Sequence, residues 1–277
     1  MTARTDDGVF MRPDGSTVSV SCVTSPILES GRVSGCVAAF SDNSWRKELE
    51  RQKEEFFAMI THDLKSPLTV IMGYADLIRE DGLPAEDARE MAGSIKESSV
   101  KLVRMINDIL TVARCDFGGL KLEEGLEDLG LLLREIETAY RGAARSLGQE
   151  LVFEAPEGLV AVADRNYIRR SVENLVQNAI NYNRPGGRVT VRAYTAESDE
   201  GRAIAIECRD DGCGIPPEYS KKIFDKYYRV PGNSAKGSGL GLYIVKAVAE
   251  AHGGRVELES EPGKGSIFRI LLPVRSY

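Results

Sequence analysis

Residues 56–68 read FFAMITHDLKSPL and hold His62, one of two histidines in the chain. From Trp45 to about Asp81, apolar residues recur at three, four or seven positions (Trp45, Leu49, Phe56, Ile60, Leu64, Ile71, Tyr74, Ile78). This spacing predicts a long amphipathic helix broken at Pro67 alone. Helical geometry puts Ala58, Lys65, Ser66, Thr69 and Asp76 on the face of His62, away from the stripe through Ile60, Leu64 and Ile71. His62 is therefore expected to face solvent. A lone histidine is more often a buried structural ring with a fixed partner, but this polar face supplies no such pocket. Asp63 adjoins the ring and can polarise it. Pro67, five residues on, is expected to bend the helix and loosen the backbone there.

Outward from this segment, Gly82-Leu83-Pro84 stops the first helix. A second, from about Pro84, carries a seam spaced four and three through Ala88, Ala92, Ile95, Ser99, Leu102, Ile106, Ile109 and Ala113. Two such helices joined by a short turn predict a helical hairpin whose apolar surface needs a cover. Pairing with a second copy into a four-helix bundle would supply it; packing on the rest of the chain is the alternative. Ahead of the helices, residues 8–40 alternate β-rich runs with turn signals at Pro13-Asp14-Gly15 and Ser30-Gly31, giving about three antiparallel strands.

Behind the helices, Asp116 to Gly125 contains three glycines and mixed charge and reads as a linker. Helices near 129–147, 165–183 and 239–252 then interleave with β-rich runs at 150–154, 187–195, 202–209, 254–260 and 265–273, the last read as an edge strand. The order lacks the regular alternation of a doubly wound sheet, so the expected architecture is a two-layer α/β sandwich.

Composition bounds what such a chain can do. Its 277 residues suit about two domains of the usual ~100 to 200 residues each. With 42% hydrophobic and 28% charged residues it can build an ordinary packed core. A net charge of −6 and a pI near 5.3 argue against a broad nucleic-acid-binding surface, so no direct nucleic-acid partner is expected. The five cysteines (Cys22, Cys36, Cys115, Cys208, Cys213) are scattered and fit neither a disulfide frame nor a zinc site, which suits reduced thiols in the cytoplasm. Cys115, near the end of the seam, is read as a small inert residue, with a redox reporter as the alternative. No apolar run approaches the ~20 residues that span a bilayer. Any membrane anchor of the natural protein is expected outside these residues.

The segment FFAMITHDLKSPL resembles the phosphoacceptor segment of the sensor histidine kinases of two-component systems. The resemblance implies that His62 is the phosphorylated histidine, Asp63 its general base, and Ser66 the position that orients water for phosphatase action. A neutral imidazole nitrogen is a competent nucleophile toward a γ-phosphoryl group, and a neighbouring carboxylate can take the other ring proton. Four later segments match the family's ATP-binding boxes in order. In NLVQNAINYN (174–183), Asn174 and Asn178 lie one turn apart on a helix, where paired amides suit phosphate oxygens and Mg²⁺; Asn178 is the expected metal ligand, through the nucleotide, and Asn181 and Tyr182 are expected near it. In DDGCGI (210–215), the glycines permit a tight turn, and the resemblance gives Asp210 the exocyclic amine of adenine, with Gly212, Gly214 and Ile215 beside it. In IFDKYYRV (223–230), Phe224 and Tyr227 would anchor the lid and Arg229 reach the phosphates. In GSGLGLYIVK (237–246), Gly237, Ser238, Gly239, Leu240 and Gly241 run into a helix whose free amides can cradle phosphate, with Lys236 just before. Each box alone is consistent with an ordinary glycine turn or helix; five motifs in the correct order are not.

The resemblance implies a multidomain chain. Residues 1–41, by their order of turn, strand, Asp14-Gly15, strand, Gly35, strand and Asp42, resemble the C-terminal half of a PAS domain and are expected to be a partial PAS-like sensory segment; 42–117 are expected to be an all-α hairpin forming a dimeric four-helix bundle. Residues 118–125 are a linker, and 126–277 an α/β two-layer sandwich of the Bergerat type that binds ATP and Mg²⁺. The expected partners are a second copy and a response-regulator receiver domain. Two departures stand out: Asn181 replaces the basic residue usual three after the second box asparagine, leaving Arg184 or Lys236 to compensate, and Ser66 stands where Thr or Asn is common. Rival readings are an ATPase or clamp of the gyrase and chaperone type sharing the ATP fold, and a nucleotide-binding scaffold without transfer. His252, before Gly253-Gly254, is expected to cap a helix end without a catalytic role.

Overall fold

The computed structural model describes residues 3–79, 83–116, 119–198, 201–230 and 239–275. Chain proximity divides it into two compact units, residues 1–63 and 64–277.

The first unit is built on a three-stranded antiparallel sheet, β1 (Ala3–Met11), β2 (Thr17–Glu29) and β3 (Arg32–Asp42), with β2 central. Its hairpins follow from local chemistry. Asp14 accepts the Ser16 N–H at 2.9 Å in the first turn, and Ser30 and Gly31, with φ of 50° and 80°, form the second, in the left-handed pair that suits strand twist. Asp42 then caps the next helix by accepting the Ser44 N–H at 2.8 Å, while buried Asn43 donates to the Asp6 carbonyl at 3.0 Å.

That helix, α1 (Ser44–Ile78), passes through Pro67 without ending. The expected break is thus a local defect: Pro67 has no N–H to give the Asp63 carbonyl one turn back, and thirty-five residues of otherwise helix-compatible sequence absorb the loss. A second long helix, α2 (Ala85–Asp116), opens on Glu86 and Asp87, which favour the positive helix end. Large apolar side chains stay exposed on both, including Leu68, Met72 and Leu77 on α1 and Val103, Ile106 and Leu110 on α2.

The rest of the second unit is a two-layer sandwich. Five strands lie in the order β5 (Glu150–Glu154), β7 (Arg188–Ser198), β8 (Gly201–Asp210), β10 (Gly265–Pro273), β9 (Arg255–Glu261); β5 and β7 are parallel and the other pairs antiparallel. The final strand is therefore internal and not an edge, because the chain turns back from β9 and inserts beside β8. Helices α3 (Leu129–Ser146), α4 (Arg165–Tyr182) and α5 (Gly241–Ala251) cover one face. Between them and the sheet lie Val191, Ile206, Ile270, Leu133, Val172 and Ile244, all 0 to 1% exposed. The other face carries a cross-strand row of alternating charge, Glu154, Arg192, Glu207, Arg269 and Glu257, in register over all five strands. Glu207 at its centre is 2% exposed and accepts from Arg192 (2.8 Å), Arg269 (2.6 Å) and Tyr194 (3.1 Å). Burial pushes its carboxyl up, but these three donors outweigh burial and hold it below the ordinary glutamate range.

Two short strands escaped the sequence reading: β4 (Gly125–Asp128) and β6 (Val160–Ala163), paired antiparallel. Together with Glu123, whose N–H meets Asp164 at 2.9 Å, and Glu124, paired with Arg275 at 2.9 Å, β4 ties the end of the expected linker into the sandwich. Among the described residues, no helix is long and apolar enough to cross a membrane.

Candidate functional site

His62 stands clear of the helix, its side chain 84% exposed, and Ala58, Lys65, Ser66, Thr69 and Asp76 are exposed with it, whereas Ile60 is buried. Its Nδ1 lies 3.4 Å from the Asp63 carboxylate. That contact selects the tautomer with the proton on Nδ1 and leaves the lone pair on Nε2, directed at solvent. The backbone near it is unusual. The Asp63 carbonyl has lost its Pro67 donor, while Thr61 and Thr69 turn their hydroxyls back on Phe57 and Lys65 carbonyls at 2.7 and 2.8 Å.

The second candidate site is a cleft between the helical layer and the end of the sheet. It is assembled from Asn178 and Tyr182 of α4, Asp210 at the end of β8, Gly214 and Ile215 just after it, Tyr228 and Arg229 of the following loop, Leu242 of α5, and Ser266 and Phe268 of β10. Asp164 fixes where α4 starts by accepting the N–H groups of Asn166 (3.0 Å) and Tyr167 (3.2 Å). Period 2 along β8 and β10 places Cys208, Asp210, Ser266 and Phe268 on the helix-covered face, with Asp210 opposite Ser266. Asp210 is 6% exposed, and burial raises its carboxyl to about 6 against the pull of the Gly212 and Ser266 N–H groups. A carboxylate so placed, at the floor of a cleft, can accept a hydrogen bond from a donor that enters it.

The loop after Asp210 needs its glycines. A Cβ on Gly212 would fall 2.4 Å from the Tyr182 carbonyl oxygen, and one on Gly214, with φ of 66°, would fall 2.0 Å from that of Glu261. Backbone lies that close on both sides.

The remaining expected residues divide. Asn174 does not line the cleft; its amide donates to the Gly241 carbonyl at 3.4 Å and so tethers the start of α5. Asn181 is exposed and accepts from Gln177 at 3.0 Å. Phe224 packs edge-on to Phe268 with centroids 6.3 Å apart. Tyr227 adopts φ of 68° and gives its N–H to the Gly239 carbonyl at 3.2 Å, while its neighbour Tyr228 faces the cleft. Leu240 is fully buried. Lys236, Gly237 and Ser238 lie outside the described residues. Ser266, Leu242 and Tyr228 were missed; alternation along GSIF was the available signal for Ser266, whereas choosing Tyr228 over Tyr227 depends on a backbone twist that propensity does not reveal.

Two family models match in the order of these sites: residues 52–118 match the His Kinase A (phospho-acceptor) domain, and residues 163–276 the Histidine kinase-, DNA gyrase B-, and HSP90-like ATPase domain. The chain belongs to the sensor histidine kinases. It is similar to Sensor protein SrrB of Staphylococcus aureus, 33% identical over 251 residues, which are 89% of this chain and 42% of that protein. The chain thus spans less than half the length of the curated relatives it matches. Among solved structures, full-length ShkA in complex with AMPPNP aligns over 79% of this chain and 45% of that one, with 26% identity and a TM-score of 0.59. The Acinetobacter baumannii histidine kinase AdeS aligns over 78% and 98%, with 20% identity and a TM-score of 0.57, a likeness of fold.

Two polar links set this histidine kinase's ATP-binding domain in place. His252 is 2% exposed; its Nδ1 must donate to the Val248 carbonyl at 2.7 Å, so Nε2 accepts the Asp164 N–H at 3.0 Å. The ring therefore does more than end α5: it joins that end to the start of α4. On the other side, Arg170 of α4 pairs with Asp108 of α2 and donates to Thr111 at 2.6 Å. Burial raises the Asp108 carboxyl despite that arginine.

Proposed function

We propose that this chain is the kinase portion of a two-component sensor, acting on the cytoplasmic side, and that it phosphorylates its own His62 from ATP. The observation that carries the reading is the exposed His62 ring with the half-buried Asp63 carboxylate beside its Nδ1, leaving Nε2 to attack. The lone pair of Nε2 forms a bond to the γ-phosphorus as the bond to the β,γ-bridging oxygen breaks and ADP departs. The Nδ1 proton passes to Asp63, leaving a phosphoramidate whose ring is neutral and whose phosphoryl group stays anionic. That labile bond suits onward transfer to an aspartate of a response-regulator receiver domain, and Ser66, one turn away, would orient water for hydrolysis of the receiver's aspartyl phosphate.

In the cleft, Asp210 would accept from the adenine amine, Gly212, Gly214 and Ile215 would bring backbone against the base, and Tyr182 would pack near it. Arg229, Lys236 and the amides of 237–241 would meet the phosphates. AMPPNP in ShkA supports a nucleotide here. Asn178 offers an amide oxygen of the hard type Mg²⁺ takes, and among the described residues no cluster of His, Cys, Asp and Glu offers an all-protein cage, which fits an ion held chiefly through phosphate oxygens. When bound, that ion supplies charge neutralisation.

We assign residues 1–41 to a PAS-like sensory segment, 42–117 to dimerisation and phosphotransfer, 118–125 to the linker and 126–277 to catalysis. Movement that brings the γ-phosphate to His62 would occur ahead of Glu123, because residues 123–128 are bound into the sandwich. Pairing of two copies would cover the exposed apolar residues of α1 and α2. Incubation with γ-labelled ATP and Mg²⁺ tests the reading: acid-labile, alkali-stable label that disappears in His62→Gln is expected. Steady phosphate release without label would replace it with an ATPase, and neither with a scaffold.

A further inference from the structure

The end of the sheet beneath the cleft carries a polar row. Asp210, Ser266 and Ser260 are register partners on three consecutive strands, β8, β10 and β9. Asp210 and Ser266 line the cleft, both 6% exposed; Ser260 lies behind them, outside its lining. The hydroxyl of Ser260 has three neighbours: it accepts the Ile215 N–H at 2.8 Å, lies 2.9 Å from the Gly265 carbonyl oxygen, and 3.0 Å from the Ser266 hydroxyl.

A hydroxyl has one proton. The Gly265 oxygen can only accept, so the Ser260 proton goes there, and the contact between the two serines is made only if Ser266 donates. This assignment satisfies both contacts with two protons, whereas the reverse polarity leaves the Gly265 contact unmade. With its proton committed backward to Ser260, Ser266 can only accept on its cleft side. The Asp210 carboxylate likewise accepts, its own N–H partners being Gly212 and Ser266.

We propose that Ser260 is a specificity-determining residue that never touches the nucleotide: by fixing the direction of the Ser266 hydroxyl it makes the polar floor of the cleft wholly hydrogen-bond accepting, and so selects a 6-amino purine over a 6-oxo purine. The inference rests on the reading of the cleft as the nucleotide site. An amine meets acceptors with its hydrogens, while a carbonyl in the same place meets lone pairs and leaves them unpaired. Removing Ser260 frees the Ser266 proton to rotate into the cleft and donate to that carbonyl, so discrimination falls without loss of any ligand-touching group.

The test is calorimetric titration of the full 277-residue chain with ADP and with IDP, which differ only at the purine 6-position and its N1 proton. Wild type is expected to prefer ADP. Ser260→Ala is expected to lower the ADP-to-IDP preference about five- to tenfold, the worth of one hydrogen bond, and Ser260→Thr, which keeps the hydroxyl, to restore it. An equal loss for both nucleotides, or none, gives Ser260 a merely structural role and overturns the proposal. If wild type binds neither, the cleft is not a nucleotide site and the inference falls with that reading; if wild type prefers ADP and Ser260→Ala keeps the whole preference, only the inference falls.

Discussion

The two candidate sites of this chain solve opposite problems. His62, the proposed phosphoacceptor, is held in water, its side chain 84% exposed beside one neighbouring carboxylate. Asp210, the proposed recognition group, is held away from water, 6% exposed, with the Gly212 and Ser266 N–H groups donating to its carboxylate. In the proposed reaction the imidazole needs no burial to act, since its neutral form already carries the nucleophilic lone pair, and a residue that is to meet an ATP domain and then a second protein has to stay accessible. A carboxylate that distinguishes one purine from another has to exclude water, because water would satisfy either base. Exposure and enclosure are thus requirements of the two chemistries.

The contrast breaks most severely at the histidine. His62→Gln should abolish phosphoryl labelling while leaving ADP affinity, read by calorimetry, unchanged; a parallel loss of affinity would show that the two regions are not separable. Asp63→Asn is expected to slow labelling by about a hundredfold or more, the range of a removed general base, again with nucleotide affinity unchanged. An unaltered labelling rate would remove Asp63 from the proton transfer and leave the tautomer unexplained.

The cleft is expected to respond to pH through Asp210. Because burial places the Asp210 carboxyl at about 6, ADP affinity should be flat near pH 7.5 and fall about tenfold by pH 5 as the carboxylate is protonated. Asp210→Asn should bind weakly at every pH, with that dependence gone. Stability of the ligand-free chain moves the other way. The folded carboxyl titrates above its unfolded value of 3.8, so the folded state holds the proton more tightly and stability declines as pH rises from about 4 to 6. The penalty persists above pH 6, up to about 3 kcal/mol, and Asp210→Asn should relieve part of it in urea unfolding at pH 7. A mutant less stable than wild type at pH 7 would mean that its contacts to Gly212 and Ser266 outweigh the burial cost.

Legibility from sequence followed the same division. The His62 face could be read because helical spacing is local: Ala58, Lys65, Ser66 and Thr69 declare their direction within one or two turns. Most of the cleft was legible through glycines and amides whose motifs are short. What could not be read was whatever depends on pairing over distance. β4 and β6 have four residues each, too few for a period, and exist because they meet each other. β10 looked like an edge because its position depends on which neighbours it pairs with, and strand composition alone does not say. His252 could be placed at a helix end, but its partner, the Asp164 N–H, is 88 residues away. The Asn174 amide was read toward a ligand from its spacing with Asn178; that its N–H also reaches the Gly241 carbonyl, 67 residues on, is a contact spacing does not reveal.

The smallest expected effects compare one device in the two regions. Asp42 and Asp164 both use a carboxylate to cap the start of a helix, α1 and α4 respectively. Asp42 is exposed, so water can replace it, and Asp42→Ala is expected to leave the urea midpoint nearly unchanged. Asp164 is 4% exposed and serves three backbone donors, those of Asn166, Tyr167 and Glu123. Its removal strands those donors where water reaches poorly, at a cost of about 2 kcal/mol, and Asp164→Asn should recover much of it by keeping an acceptor. The loss should also reach function, because the start of α4 and residue 123 are released together. Labelling of His62 should then fall by more than the fraction unfolded explains. Equal urea shifts for Asp42→Ala and Asp164→Ala would mean that burial does not set the worth of a cap in this chain, and would weaken the same argument where it has been applied to Asp210.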